Sequence, residues 1–86
     1  MIVQWTNEAW VDYLRWRATD QKVFKRLNRI VEAVADDPFR GIGKPEPLRH
    51  ELSGYWSRRI TGEHRLVYRV QAGRVHVISC RYHYKK

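Results

Sequence analysis

Apolar and polar positions alternate along this chain with two different periods, and the change of period divides it into two halves. A short apolar, β-prone run, Ile2 to Trp5, opens it. Thr6 or Asn7 then offers a helix N-cap, and Glu8 places a negative charge where the dipole of a first helical turn favours one. Ala9, Trp10, Tyr13, Leu14 and Arg17 recur at i, i+1, i+4, i+5 and i+8, which predicts a helix ending near Ala18-Thr19. Asp20 can cap a second helix, with Val23, Leu27, Ile30, Val31 and Val34 on one face and Lys22, Lys25, Arg26 and Arg29 largely on the other. Asp36-Asp37-Pro38 stops that helix, since proline lacks the N–H that would continue the ladder.

Phe39 to Pro47 holds two glycines and two prolines, too many for a regular element, so Lys44-Pro45-Glu46-Pro47 is expected in a loop or at a strand entrance. Beyond Ser53-Gly54 the period becomes two. Extended runs are predicted at Tyr55–Thr61, His64–Val70 and Val75–Tyr84, with turns at Gly62-Glu63 and around Ala72-Gly73. Even positions in these runs (Trp56, Ile60, Leu66, Tyr68, Val70, Ile78, Cys80, Tyr82) are apolar, whereas odd ones include Arg59, Arg65, Arg69, Arg81 and His83. Strand side chains alternate faces, so the pattern predicts an apolar face under the helices and an Arg/His-rich face open to a ligand. Arg58, His64 and His76 break it. The expected class is α+β, a β-meander carrying two helices, in a single domain over residues 1–86.

Charge sharpens the division. The chain carries +8, an excess that favours polyanionic partners. Through Pro38 six basic residues balance six acidic ones, while from Phe39 onward eleven basic residues face only Glu46, Glu51 and Glu63. All four histidines also fall in this second part, which is where a nucleic-acid surface is expected. Cys80 is the sole cysteine and can form no internal disulfide or Cys-based metal site. The opening Met1-Ile2-Val3-Gln4-Trp5 has no basic region before a long apolar core, and no stretch has the roughly 18 apolar residues of a membrane span. The cytoplasm is the expected compartment, with no membrane partner.

No His, Cys, Asp or Glu cluster has metal-ligand spacing and no glycine-rich phosphate loop is present, so neither metal nor cofactor is expected. Cutting RNA without a metal requires a base for the 2'-hydroxyl, an acid for the departing 5'-oxygen and a fixed cation for the charge on phosphorus. Glu46, between prolines and near Lys44 and Arg49, is a candidate base, the competing reading being a loop glutamate paired with a lysine. His83 suits an acid, because an imidazole with its ordinary pKa of about 6.5 exchanges protons near neutrality. Arg65 can offer a phosphate two parallel hydrogen bonds, and Tyr84 can stack on a base or bond a phosphate. Each has a plainer alternative as a solvated or half-buried strand residue.

The sequence resembles the YoeB toxins, within the RelE/ParE superfamily of bacterial toxin-antitoxin pairs, nearly from end to end. The match is carried by Pro38-Phe39, Gly43-Lys44-Pro45-Glu46-Pro47-Leu48, His50, Leu52-Ser53-Gly54, Trp56-Ser57-Arg58-Arg59-Ile60-Thr61, Glu63-His64-Arg65-Leu66-Val67-Tyr68 and Cys80-Arg81-Tyr82-His83-Tyr84. This resemblance implies the RelE-like fold, a twisted, mainly antiparallel sheet with two N-terminal helices on one face. It implies a ribosome-dependent endoribonuclease that cuts messenger RNA in the A site, with Glu46 as general base, His83 as general acid, Arg65 supporting the transition state and Tyr84 orienting substrate. Lys44, Arg49 and Arg59 are the implied RNA contacts. Position 49 is often lysine in these toxins, and Lys85-Lys86 follow the His-Tyr pair at which they commonly end. An acidic YefM-type antitoxin, the ribosome with its ribosomal RNA, and a second toxin copy are the implied partners. A ParE-like gyrase poison shares the fold but lacks the Glu and His pair, and a non-catalytic RNA-binding module would use the same basic sheet.

Overall fold

The computed structural model describes residues 1–82; His83, Tyr84, Lys85 and Lys86 lie outside the described residues. Strand β1 (Ile2–Trp5) leads into helix α1 (Asn7–Thr19) and helix α2 (Gln21–Asp36), whose bounds and caps are those expected. Thr6 accepts the Ala9 N–H at the start of α1, and Asp20 accepts the Val23 N–H at the start of α2. Strand β2 (Glu46–Pro47), a short 3-10 turn (His50–Leu52) and strands β3 (Tyr55–Arg59), β4 (Arg65–Gln71) and β5 (Arg74–Ser79) follow. The five strands form one sheet in the order β1-β5-β4-β3-β2. Every neighbouring pair is antiparallel except β1 with β5. A helical pair therefore lies between the two strands that run parallel, as a parallel pairing requires a long crossover.

The core forms where the helices meet one sheet face. Leu27, Ile30 and Val34 of α2 and Ala9 of α1 are buried there with Leu66, Tyr68, Val75 and Val77, and Tyr13 and Trp16 pack against them. The stripe on α1 thus runs through Ala9, Tyr13 and Trp16, not through Leu14 and Arg17, and Arg17 is exposed. Trp16 is drawn in because its indole N–H donates to the Cys80 carbonyl at 2.9 Å.

On the last strand the structure corrects the expected alternation. Val67 faces Ser79 but Tyr68 faces Val77, so Ile78 is an extra residue and β5 changes parity at a bulge. Val75 and Val77, at odd positions, enter the core in place of Ile78, and Cys80 returns to it beyond the bulge. The strand ends at Ser79, short of the expected run to Tyr84, and Tyr82 is half exposed with a left-handed φ of 59°. Periodicity cannot reveal a bulge, because one inserted residue leaves composition unchanged while reversing every later side chain.

Arg58, the residue that breaks the alternation on β3, is fully buried. Its guanidinium donates to the Tyr68 hydroxyl (3.2 Å) and to the carbonyls of Ile42 (3.1 Å), Arg40 (2.9 Å) and Asp37. Tyr68 in turn donates to the Pro38 carbonyl at 2.6 Å. An arginine placed under the helices is tolerated only because the 37–42 loop turns its carbonyls inward to meet it. Gly41, at φ 128°, is needed for this approach, since a Cβ there would stand 2.9 Å from Arg58 Nη1. Burial is also the main cause that pushes the Tyr68 phenol above its ordinary pKa, with the bond from Arg58 opposing it.

Two outcomes follow. Arg58→Met should lower the unfolding free energy by about 3–5 kcal/mol, because it strands a ring of buried acceptors; urea denaturation measures the loss, and a change below about 1 kcal/mol would contradict it. Burial, aided by the Asp12 carboxylate, pushes the Cys80 thiol up to about 12. Cys80 should therefore resist Ellman's reagent at pH 8 in the native protein and react at once in denaturant.

Candidate nucleic-acid interface and active site

The sheet face opposite the helices carries Glu46, Arg59 and Arg65. Glu46 on β2 pairs with Ser57 on β3, and Ser57 pairs with Val67 on β4, so these three point to one side. Arg59 and Arg65 oppose each other one step along, on that same side. Arg65 Nη1 lies 3.4 Å from Glu46 Oε1 and donates to the Ser57 hydroxyl at 3.3 Å. The Arg65 side chain is 19% exposed and that of Glu46 is 62% exposed, so the cation is seated in the sheet while the carboxylate reaches solvent. A seated guanidinium keeps its planar fork oriented.

Local backbone explains why Glu46 arrives here. Leaving the Arg58-bound loop, the chain passes Gly43, whose carbonyl accepts the Arg59 N–H at 2.6 Å. A Cβ on Gly43 would lie 3.1 Å from the Arg59 carbonyl oxygen and 3.3 Å from Ile30 Cδ1. Lys44 then takes a left-handed φ of 51°, an unfavourable choice for a non-glycine residue, and the prolines on either side of Glu46 stiffen the two-residue strand. The Leu48 N–H closes the segment on the Tyr55 carbonyl at 2.9 Å.

At the far edge of this face the Arg65 N–H donates to the Tyr82 carbonyl (3.2 Å), and the Tyr82 N–H donates to His64 Nδ1 (2.8 Å). Glu46, Arg65, Arg59 and the Lys44 loop are thus gathered at one end of β3 and β4. Arg49 stands apart from them, exposed beyond Leu48 toward the Tyr55 end. His83 and Tyr84 lie outside the described residues. Among the described residues, no three His, Cys, Asp or Glu side chains converge as metal ligands.

A profile described as the YoeB-like toxin of bacterial type II toxin-antitoxin systems matches residues 5–84. The chain belongs to this toxin family. The Escherichia coli protein named Toxin YoeB is 54% identical over 84 residues, covering 98% of this chain and all of that one. The solved YoeB/ParE toxin from Agrobacterium tumefaciens superposes with a TM-score of 0.93 at 48% identity, over 98% of this chain and all of that one. YoeB from Staphylococcus aureus, solved as a dimer and in a YoeB-YefM complex, has a TM-score of 0.88 at 39% and 38% identity, covering 98% of both chains. The α+β, RelE-like architecture expected from the sequence is thus the one observed. This protein is a toxin of a type II toxin-antitoxin system.

Two participants in the site escaped the sequence reading. Ser57 is 99% shielded yet spends its hydroxyl on Arg65, and its odd parity opposite the Glu46 strand was the available signal. His64, set aside as a break in the pattern, holds the backbone of Tyr82. Arg59 and Arg65 are like charges at directly paired positions, an arrangement that favours an anion beside them. Inorganic pyrophosphate should therefore raise the melting temperature by about 2–4 °C at constant ionic strength, and Arg59→Gln should remove most of the gain. An equal rise in both proteins would place the anion elsewhere.

Proposed function

We propose that this toxin is an endoribonuclease that cuts messenger RNA in the ribosomal A site, using protein side chains alone. The observation that carries the reading is the Glu46–Arg65 ion pair, an exposed carboxylate beside a seated guanidinium on the basic face of the sheet. Glu46 takes the proton from the 2'-hydroxyl, and that oxygen attacks the adjacent phosphorus. Arg65 donates to the phosphoryl oxygens as their charge grows. His83 gives a proton to the departing 5'-oxygen and Tyr84 orients the substrate. The bond to the 5'-oxygen breaks as the new one forms, leaving a 2',3'-cyclic phosphate and a 5'-hydroxyl. A carboxylate and an imidazole suit opposite proton-transfer roles.

Lys44, Arg49 and Arg59 serve as phosphate contacts, which position a protein without reading bases. The ribosome supplies the docking surface through its RNA and presents the codon. Similarity to a toxin solved with YefM, together with a charge of +8, supports an acidic YefM-type antitoxin as partner, and the Staphylococcus aureus dimer supports self-association. Among the described residues no helix is long and apolar enough to cross a membrane, and the proposed place of action is the cytoplasm. The gyrase-poison reading gives Glu46 and Arg65 no chemical task.

Single-turnover cleavage of messenger RNA on ribosomes with an empty A site tests this. Glu46→Gln and His83→Gln should each slow it by about a hundredfold or more, and Arg65→Lys should be impaired despite its charge. A 2'-deoxy sugar at the scissile position should stop it, and naked RNA should be cut far more slowly. Normal rates in both variants, or equal cutting of free and ribosome-bound RNA at limiting enzyme, would overturn the proposal.

A further inference from the structure

We infer that His64 is a positioning residue for the cleavage centre, its neutral imidazole holding the Tyr82 backbone and so fixing the start of the segment that continues into His83. This rests on the reading of His83 as the general acid. Every backbone group of His64 is committed locally. Its N–H donates to the Thr61 hydroxyl (3.0 Å), and its carbonyl accepts from Ile60 (2.9 Å) and Thr61 (3.1 Å). The side chain is thereby set at a fixed point beside β4, only 12% exposed, with the Trp16 ring edge-on at 4.6 Å and the Tyr82 ring at 5.0 Å.

The hydrogen bond decides the tautomer. A backbone N–H can only donate, so Nδ1 of His64, 2.8 Å from the Tyr82 nitrogen, must carry a lone pair. The remaining proton sits on Nε2, which points to the Glu63 carboxylate at 3.6 Å. Glu63 thus favours the tautomer that leaves Nδ1 free to accept. Other charges near this corner are Arg65, adjacent in sequence, and Arg81, whose guanidinium lies 4.8 Å over the Tyr82 ring.

Beyond β5 the chain leaves the sheet ladder and is held by single bonds in its place. Trp16 holds the Cys80 carbonyl, the Ser79 hydroxyl reaches the Arg81 carbonyl at 3.3 Å, and the Arg65 N–H holds the Tyr82 carbonyl. His64 supplies the acceptor for the Tyr82 N–H, at a residue whose φ of 59° is unfavourable for tyrosine. Without that acceptor, Tyr82 can relax to a commoner conformation, which redirects the chain one residue before His83. Misplacing a catalytic group by about 1 Å costs on the order of a hundredfold in rate.

Two substitutions separate this role from packing. His64→Asn keeps an acceptor on the γ-branch, where Nδ1 stands, but discards the ring; His64→Phe keeps the ring against Trp16 but has no acceptor. The maximal single-turnover rate on ribosome-bound messenger RNA should fall about tenfold or more in His64→Phe, with apparent affinity within about twofold of wild type. His64→Asn should stay within about threefold. Amide hydrogen exchange at Tyr82 should speed about tenfold in His64→Phe and little in His64→Asn. The reverse order, with Phe active and Asn impaired, would show that the ring only packs and would overturn the inference, as would an unchanged Tyr82 amide in His64→Phe. If His83→Gln cut at the normal rate, the proposed acid would fail instead, and the Tyr82 amide would still report whether His64 holds this segment.

Discussion

The buried guanidinium of Arg58 is the constraint around which this fold is organised. A permanently charged group under two helices would be prohibitive without partners, and here its partners are chiefly backbone carbonyls. The 37–42 segment has almost no regular structure of its own, and its orphan carbonyls would otherwise need water. Arginine and loop therefore satisfy each other: the loop makes the charge tolerable, and the charge gives the loop one conformation. Tyr68 completes the arrangement, accepting from Arg58 and donating to Pro38 through one hydroxyl.

That mutual satisfaction passes directly to the site. The loop ends at Gly43, which is clamped to Arg59, the residue following Arg58, and Glu46 lies three residues further on. Along β3 the same strand sends Arg58 to the helical side and Ser57 and Arg59 to the open side, so one short extended segment anchors the loop and frames the ion pair. A carboxylate positioned this way is held by rigid elements at both ends while its own side chain remains exposed. Two non-glycine residues with left-handed φ, Lys44 and Tyr82, flank the centre. Strain of this kind persists where the surroundings over-determine the backbone, and both residues are bracketed by specific hydrogen bonds.

The basic half of the chain therefore has two kinds of arginine. Arg58 spends its N–H groups internally and is shielded from any ligand, whereas Arg59 and Arg65 face the open side as an opposed pair. Beside the Glu46 carboxylate, the outward pair offers the kind of cationic surface that positions a phosphate without reading bases. The helical half is charge-balanced, so its part is to bury the core face and to hold the far edge of the site through Trp16.

How much of this was legible beforehand differs by element. Both helices and their caps were readable because helical periodicity and capping are local properties of sequence, as was the presence of an Arg-rich strand face. Glu46, Arg65 and Arg59 could be nominated from residue type, parity and family resemblance, and so could His83 and Tyr84, which lie outside the described residues. The bulge at Ile78, the parallel pairing of β1 with β5, the burial of Arg58 and the attachment of Tyr82 to His64 were not readable. Each depends on which distant groups meet: a bulge on the partner strand's register, a buried charge on carbonyls from a loop far along the chain, and a histidine tautomer on a single backbone N–H. Sequence by itself determined what each segment could form and which side chains could carry the chemistry. Tertiary structure decided which of them meet, because only the closed fold sets distances between residues that the chain keeps apart.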